Sequence, residues 1–281
     1  MNGYSKAVLV VSDPHCGSIF GMLPPDFTTS DDKTVGQNVG QKHLWQCWVD
    51  MGQAVAAHPI VAVVVNGDVI DGAQGAQRGT ELALPMQADQ ALAAEMCLRD
   101  LRGRLKERAK WYFVQGTEYH DSAAGREVES VARGIGATPY VGPGTGRYSR
   151  EALDLDVDGV VLNFAHHISA SGGLYRATAP DREGVWSALG GKEGKVPRAD
   201  VVVRSHVHCF THVEHPSKHV VVTPCWQLQT RFMRRKSYYR MVPDIGVVLL
   251  WIDGAAKKKG EDPVVVQKLL YPLPPLKPVK L

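Results

Sequence analysis

The chain has little of what marks several protein classes. It has five cysteines in 281 residues, an odd number, and no C-x-x-C pair. A disulfide framework is therefore not expected, which points to a reducing intracellular compartment. Cys16 and Cys209 neighbour histidines and read as small buried companions of a site rather than redox groups. Long apolar runs are also missing. Nothing approaches the ~18–20 residues a bilayer span needs. The N-terminal segment carries one Lys and an apolar run too short for a signal-peptide core, with no small-residue cleavage pattern. The expectation is a soluble cytoplasmic protein with no membrane partner. Charge is near balance, with a formal net charge of +3, which neither calls for nor excludes nucleic acid. Internal repeats and clear linkers are absent too. We therefore expect one domain over 1–271 and an extended Pro-rich tail, PLPPLKPVKL, over 272–281.

What is present is an ordinary globular composition, 44% hydrophobic and 22% charged, enough for a sizeable core. Short apolar runs read as strands: the β-branched AVLVV at 7–11, IVAVVV at 60–65, KWYFVQG at 110–116 and ADVVVRS at 199–205. Apolar residues at helical spacing predict helices over 41–58 and 87–109, with further helices over 122–135 and near 174–189. The segment 152–165 alternates and turns at Asp158-Gly159, which predicts a hairpin. From 209 onward the pattern reads as mostly antiparallel sheet. Alternating β and α elements followed by a β-rich half suggest two packed sheets with helices outside.

The strands end in an informative way. The first runs into Asp13-Pro14-His15, the second into Gly67-Asp68-Val69-Ile70-Asp71, the hairpin into His166-His167, and the late strand into His206-Val207-His208. Functional groups in α/β folds gather at the carboxyl ends of strands. Carboxylate and imidazole together suit borderline divalent metals. Ligands at i and i+2 just past a strand can turn toward one ion, and one carboxylate can bridge two ions. Each pair alone is commonplace; the ordered set is not.

That ordered set, S-D-P-H, G-D-V-I-D, H-H and S-H-V-H, resembles the calcineurin-like metallophosphoesterases, in particular phage and prokaryotic members. The resemblance runs from about residue 7 to residue 210. It implies an α/β four-layer αββα sandwich, two mixed sheets flanked by helices, with two divalent metal ions at the sheet edge. Mn²⁺ is the first choice, with Fe, Zn, Ni or Mg as alternatives. By position, one ion falls to Asp13, His15, Asp68 and His208. The other falls to Asp68 as bridge, the third-motif residue, His166 and His206, with His167 as the alternative to His166. The chemistry implied is hydrolysis of a phosphate ester by a metal-bridging hydroxide. His120 then serves as proton donor, and Asp71 at the catalytic site orients a ligand or holds a hydrogen bond behind one. The localisation implied is the cytoplasm of a bacterium or of a phage-infected host cell.

Three positions depart from the pattern. Ser205 stands for a Gly, Gly72 follows the second motif where Arg is common, and after Gly116 the chain has Thr117, Glu118, Tyr119, His120 where Asn-His is usual. Thr117 reads as ligand with His120 as acid. Alternatively Glu118 or His120 ligates, or the second metal site is weak. On the substrate side, QTRFMRRKSYYR at 229–240 mixes cations with aromatics and suggests a nucleic-acid surface that includes Arg234 and Arg235. Arg176 and Arg182 are candidate phosphate clamps. The function expected is a phosphodiesterase or nuclease on nucleic acid or nucleotides. The alternatives are a phosphomonoesterase of the Ser/Thr protein phosphatase kind and a metal-binding scaffold.

Overall fold

The computed structural model describes residues 4–105, 109–122, 124–140, 146–169, 175–237 and 239–275. Its elements, in order, are β1 (Lys6–Val11), β2 (Phe27–Thr28), β3 (Thr34–Val35), α1 (Val39–Val55), β4 (Ile60–Asn66), α2 (Gln87–Arg104), β5 (Lys110–Val114), α3 (Arg126–Gly134), β6 (Ser149–Arg150), β7 (Ala152–Val157), β8 (Val160–Ala165), α4 (Thr178–Lys192), β9 (Val201–Arg204), β10 (Thr211–His215), β11 (Lys218–Val222), α5 (Arg231–Ser237), β12 (Ile245–Ile252), α6 (Gly254–Lys259) and β13 (Val264–Tyr271). Most of the tail expected at 272–281 lies outside the described residues. No helix among the described residues is long and apolar enough to cross a membrane.

Two mixed sheets form. The first has the order β13-β12-β1-β4-β5-β6 and the second β10-β11-β9-β8-β7. Strands β1, β4, β5 and β6 run parallel, while β12 and β13 add antiparallel neighbours. Alternation along each strand sends side chains to opposite faces. Leu9, Val63 and Phe113 therefore pack outward against helices α1 to α3, in a core that also holds Trp48 and Trp226. Val8, Val10, Val64 and Leu250 point the other way and meet Leu162, Phe164, Val203 and Val221 of the second sheet. Helix α4 covers the far face through Ala179, beside Val222. The layers are thus helix, sheet, sheet, helix, the sandwich anticipated above.

The C-terminal half is mostly antiparallel, as expected, with one exception at β11. Strand β10 lies at the sheet edge, and the hairpin turn at Pro216-Ser217 returns β11 into the place beside β9, so β11 is parallel to β9. Nothing in the alternation of a strand records which neighbour it will take. The helix predicted over 41–58 spans 39–55 and opens with a capping box: the Asn38 side chain accepts the Gln41 amide at 3.0 Å and Gln41 returns the bond at 3.1 Å. The helix predicted to 109 ends at Arg104. The basic, aromatic segment read as a surface stretch contains the short helix α5.

Candidate metal centre

The loops that leave β1, β4, β5, β8 and β9 meet at one end of the two sheets. The first two are bound to each other by backbone hydrogen bonds: the Asp13 amide donates to Gly67 O at 3.0 Å, His15 to Asp68 O at 3.1 Å, and Asp71 to Cys16 O at 3.0 Å. Five of the residues so placed, Asp13, His15, Asp68, His206 and His208, have φ between +43° and +75°. L-residues avoid that region, and such conformations persist where the surroundings enforce them. Gly116 is needed at the third loop, because a Cβ there would overlap the Asp68 amide and the Asp121 carboxylate.

Two of the side-chain groups matter most, and Asp68, a member of the second, reaches within 3.9 Å of His15 in the first. In the first, one donor atom from each of Asp13, His15 and His208 lies within 4.8 Å of the others. His208 Nε2 is 3.2 Å from Asp13 Oδ1 and 3.2 Å from His15 Nε2. In the second, Asp68, His166 and His206 converge in the same way. Asp68 Oδ2 is the meeting point: His166 Nε2 stands 3.1 Å away, with His15 Nε2 and His206 Nδ1 both at 3.9 Å. Its other oxygen, Oδ1, accepts the Thr117 amide at 2.7 Å and the Thr117 hydroxyl at 3.0 Å. One oxygen is fixed by the chain and the other is presented to both groups.

The imidazoles are set by their outer nitrogens. His15 Nδ1 donates to Asp71 Oδ1 at 3.0 Å and His166 Nδ1 to Asn66 O at 2.7 Å, so each presents Nε2 to the centre. Asp71 is itself held by Gln227 Nε2 at 3.1 Å and by Gln74. His120 donates Nδ1 to Asp71 O at 2.9 Å, and its ring meets that of His15 edge-on at 4.4 Å. His167, the alternative to His166, is exposed and stands beside His206 at 4.8 Å between ring centroids.

Burial on this scale disfavours charge unless it is matched. Burial would raise the carboxyl groups of Asp13 and Asp68, yet the histidines around them, His166 foremost, hold both below the ordinary range. Burial would depress His166, but Asp68 and Asp13 outweigh it and push it up to about 10. Burial and the neighbouring His120 lower His15. The observation that tests for a metal is Asp13. It is fully buried, and neither carboxylate oxygen has a hydrogen-bond donor among the described residues; His208 and His166 approach Oδ1 without hydrogen-bond geometry. A buried carboxylate left this way is costly. His166 Nε2 and His206 Nδ1 are likewise buried and without hydrogen bonds. Imidazole and carboxylate ligand atoms converging on one place without hydrogen bonds fit divalent cations, which displace any proton the imidazoles carry.

Sequence reasoning missed several supports. Asp121, directly after His120, accepts backbone amides from Gly116 at 2.6 Å, Asp68 at 2.9 Å and Val69 at 2.9 Å, tying the second and third loops together. Burial, then the Asp68 charge, push its carboxyl up to about 7. Gln90 of α2 holds the Asp71-Gly72 turn from both sides. Ser205, where the sequence pattern suggested Gly, joins a chain of hydroxyl contacts with Asn66, Thr223 and Ser12. The signal for Asp121 was its place five residues after Gly116; Gln90, on a helix, left none.

The centre floors a cleft of about 490 Å³. His15, Asp68, Asp71, His120, His206, His208 and Arg176 all line it. Of the other predicted cations, Arg234 packs over Phe20 instead, 5.9 Å from the ring centroid. Arg182 and Arg235 are exposed and do not line the cleft. Lys236 and Arg240 line it in their place, with Phe232 and Met233.

No sequence profile of a known family matches the chain, and no curated protein matches it. Solved structures with related layouts include an archaeal phosphodiesterase, 9% identical over 94% of this chain and 99% of that one, with a TM-score of 0.43. Vacuolar Protein Sorting 29 of Cryptosporidium parvum is 10% identical over 95% and 97%, with a TM-score of 0.41. A predicted phosphoesterase of Streptococcus pneumoniae is 9% identical over 94% and 97%, with a TM-score of 0.36.

Proposed function

We propose that this protein is a calcineurin-like metallophosphoesterase that hydrolyses phosphodiesters of nucleic acids or nucleotides. The observation that carries the reading is the Asp68 carboxylate, with Oδ1 fixed by Thr117 and Oδ2 turned to both histidine groups on the cleft floor.

Asp13, His15, Asp68 and His208 would hold one divalent ion, and Asp68, His166 and His206 the other. When bound, such a pair supplies Lewis acidity toward a phosphoryl group and lowers the pKa of water. Asp71 and Asn66 keep His15 and His166 in the tautomers that ligation requires. Thr117 stands where a third-motif ligand was expected, and here its two donors hold Asp68. His120, with Nδ1 committed to Asp71 O, keeps Nε2 for the proton that the leaving oxygen takes. Arg176, Lys236 and Arg240 offer positive charge to phosphate oxygens, while Phe232 offers a face to a base or sugar. This mixed wall favours a diester with a substituent on each side of phosphorus over a small monoester.

The test is hydrolysis of bis-p-nitrophenyl phosphate, p-nitrophenyl phosphate and single-stranded DNA by the Mn²⁺-loaded protein. Cleavage of the diester and the DNA is expected. Turnover of the monoester alone would move the assignment to a phosphatase. Bound metal with no turnover of any of the three would leave a metal-binding scaffold.

A further inference from the structure

The edge of the second sheet gathers another set of donors. His212 and Glu214 stand two residues apart on β10, so they share a face. Across the strand pair Glu214 faces His219 of β11, and His212 faces Val221. Val221 packs between the sheets, so this is the inward face. One donor atom from each of His212, Glu214 and His219 lies within 4.8 Å of the others. His212 Nε2 is 3.0 Å from His219 Nδ1, with the rings stacked at 21° and their centroids 5.2 Å apart.

His219 is buried, and its outer nitrogen is fixed. Nε2 lies 3.1 Å from each oxygen of Asp262, and Asp262 Oδ1 accepts the Val264 amide at 3.0 Å. An imidazole that donates Nε2–H to a carboxylate presents a lone pair at Nδ1. The cleft repeats this arrangement: Asp71 fixes the outer nitrogen of buried His15, whose inner nitrogen meets that of His208 at 3.2 Å. A hydrogen bond between two imidazoles would explain His212 and His219. It would not explain Glu214 closing the same triangle.

We propose that His212, Glu214 and His219 bind a divalent cation of the Zn²⁺ class, with Asp262 fixing His219 and water completing the coordination. Two imidazoles and one carboxylate favour such an ion over Mg²⁺ or Ca²⁺. Glu214 is exposed and His212 half-buried, so the ion has an entry path. Its effect is structural. It fastens the edge strand β10, which follows the loop carrying His206 and His208, to β11 and to the start of β13.

The experiment counts zinc per chain by mass spectrometry after Zn²⁺ loading and desalting. His212→Gln and Glu214→Gln are each expected to hold about one ion fewer than the unaltered protein. Both are expected to hydrolyse the diester within about twofold of it when assayed with Mn²⁺. Both positions tolerate a polar replacement, and circular dichroism verifies the fold. A chain carrying Asp13→Asn and Asp68→Asn is expected to keep about one zinc, which adding His212→Gln removes. That arm reads the edge site whether or not the cleft is catalytic. Equal zinc with and without His212, or none retained by the doubly altered chain, overturns the proposal.

Discussion

At the residue scale, Asp68 decides the most. Asp68→Ala removes the oxygen that both histidine groups face. It is expected to lower metal content at both positions and to reduce turnover by about three orders of magnitude, roughly 4 kcal/mol. A variant with normal metal content would refute the bridging role. Thr117→Ala keeps the amide contact but loses the hydroxyl contact, so metal affinity should fall about tenfold, at the mild end of such supports; competition with a chelating dye measures it. His120→Ala should lower kcat about 10²-fold on DNA and much less on bis-p-nitrophenyl phosphate, whose leaving group needs little protonation. Equal losses on both would remove His120 from the proton's path. His166 makes metal uptake pH-dependent. Raised to about 10 in the metal-free protein, it is protonated at neutral pH and must release that proton to ligate. Affinity should therefore climb with pH until about 10, and the calorimetric heat at pH 7 should scale with the buffer's ionisation enthalpy.

At the scale of elements, legibility followed length and chemical purity. The buried strands β1, β4 and β9 are runs rich in β-branched residues and β5 is an aromatic run, and the Asp and His after them were readable because a strand's end is marked by the loss of that run. Helix α5 was not readable. It is seven residues long, no acidic residue opens it, and consecutive Arg234, Arg235 and Lys236 hide its sidedness. Once helical, residues 232, 233 and 236 share a face, and that face lines the cleft. This is why Lys236 replaces Arg234 and Arg235 there. Lys236→Ala should raise KM for DNA severalfold with kcat nearly unchanged and make the salt dependence shallower, whereas Arg235→Ala should do neither. Comparing their KM values across a salt series reads this directly.

At the scale of the molecule, the sandwich was legible because two kinds of alternation, in sequence order and in hydrophobicity, pointed to the same layers. The exchange of neighbours at β11 was not, since strand pairing is a property of the whole sheet. The fold brings loops from both sheets to one end, so a cation there would tie the sheets together. Chelation should lower the melting temperature by several degrees, and Mn²⁺ should restore it, because a ligand that binds only the folded state stabilises it.

The left-handed backbone at Asp13, His15, Asp68, His206 and His208 also bears on how the protein tolerates change. Alanine at such a position removes the ligand and keeps the strained backbone, while glycine removes both. In the metal-free protein His206→Gly should melt above His206→Ala, the reverse of the usual order, by the equivalent of about 1 kcal/mol. The centre is a point of tension in the chain, and losing the chemistry there would leave a more relaxed protein.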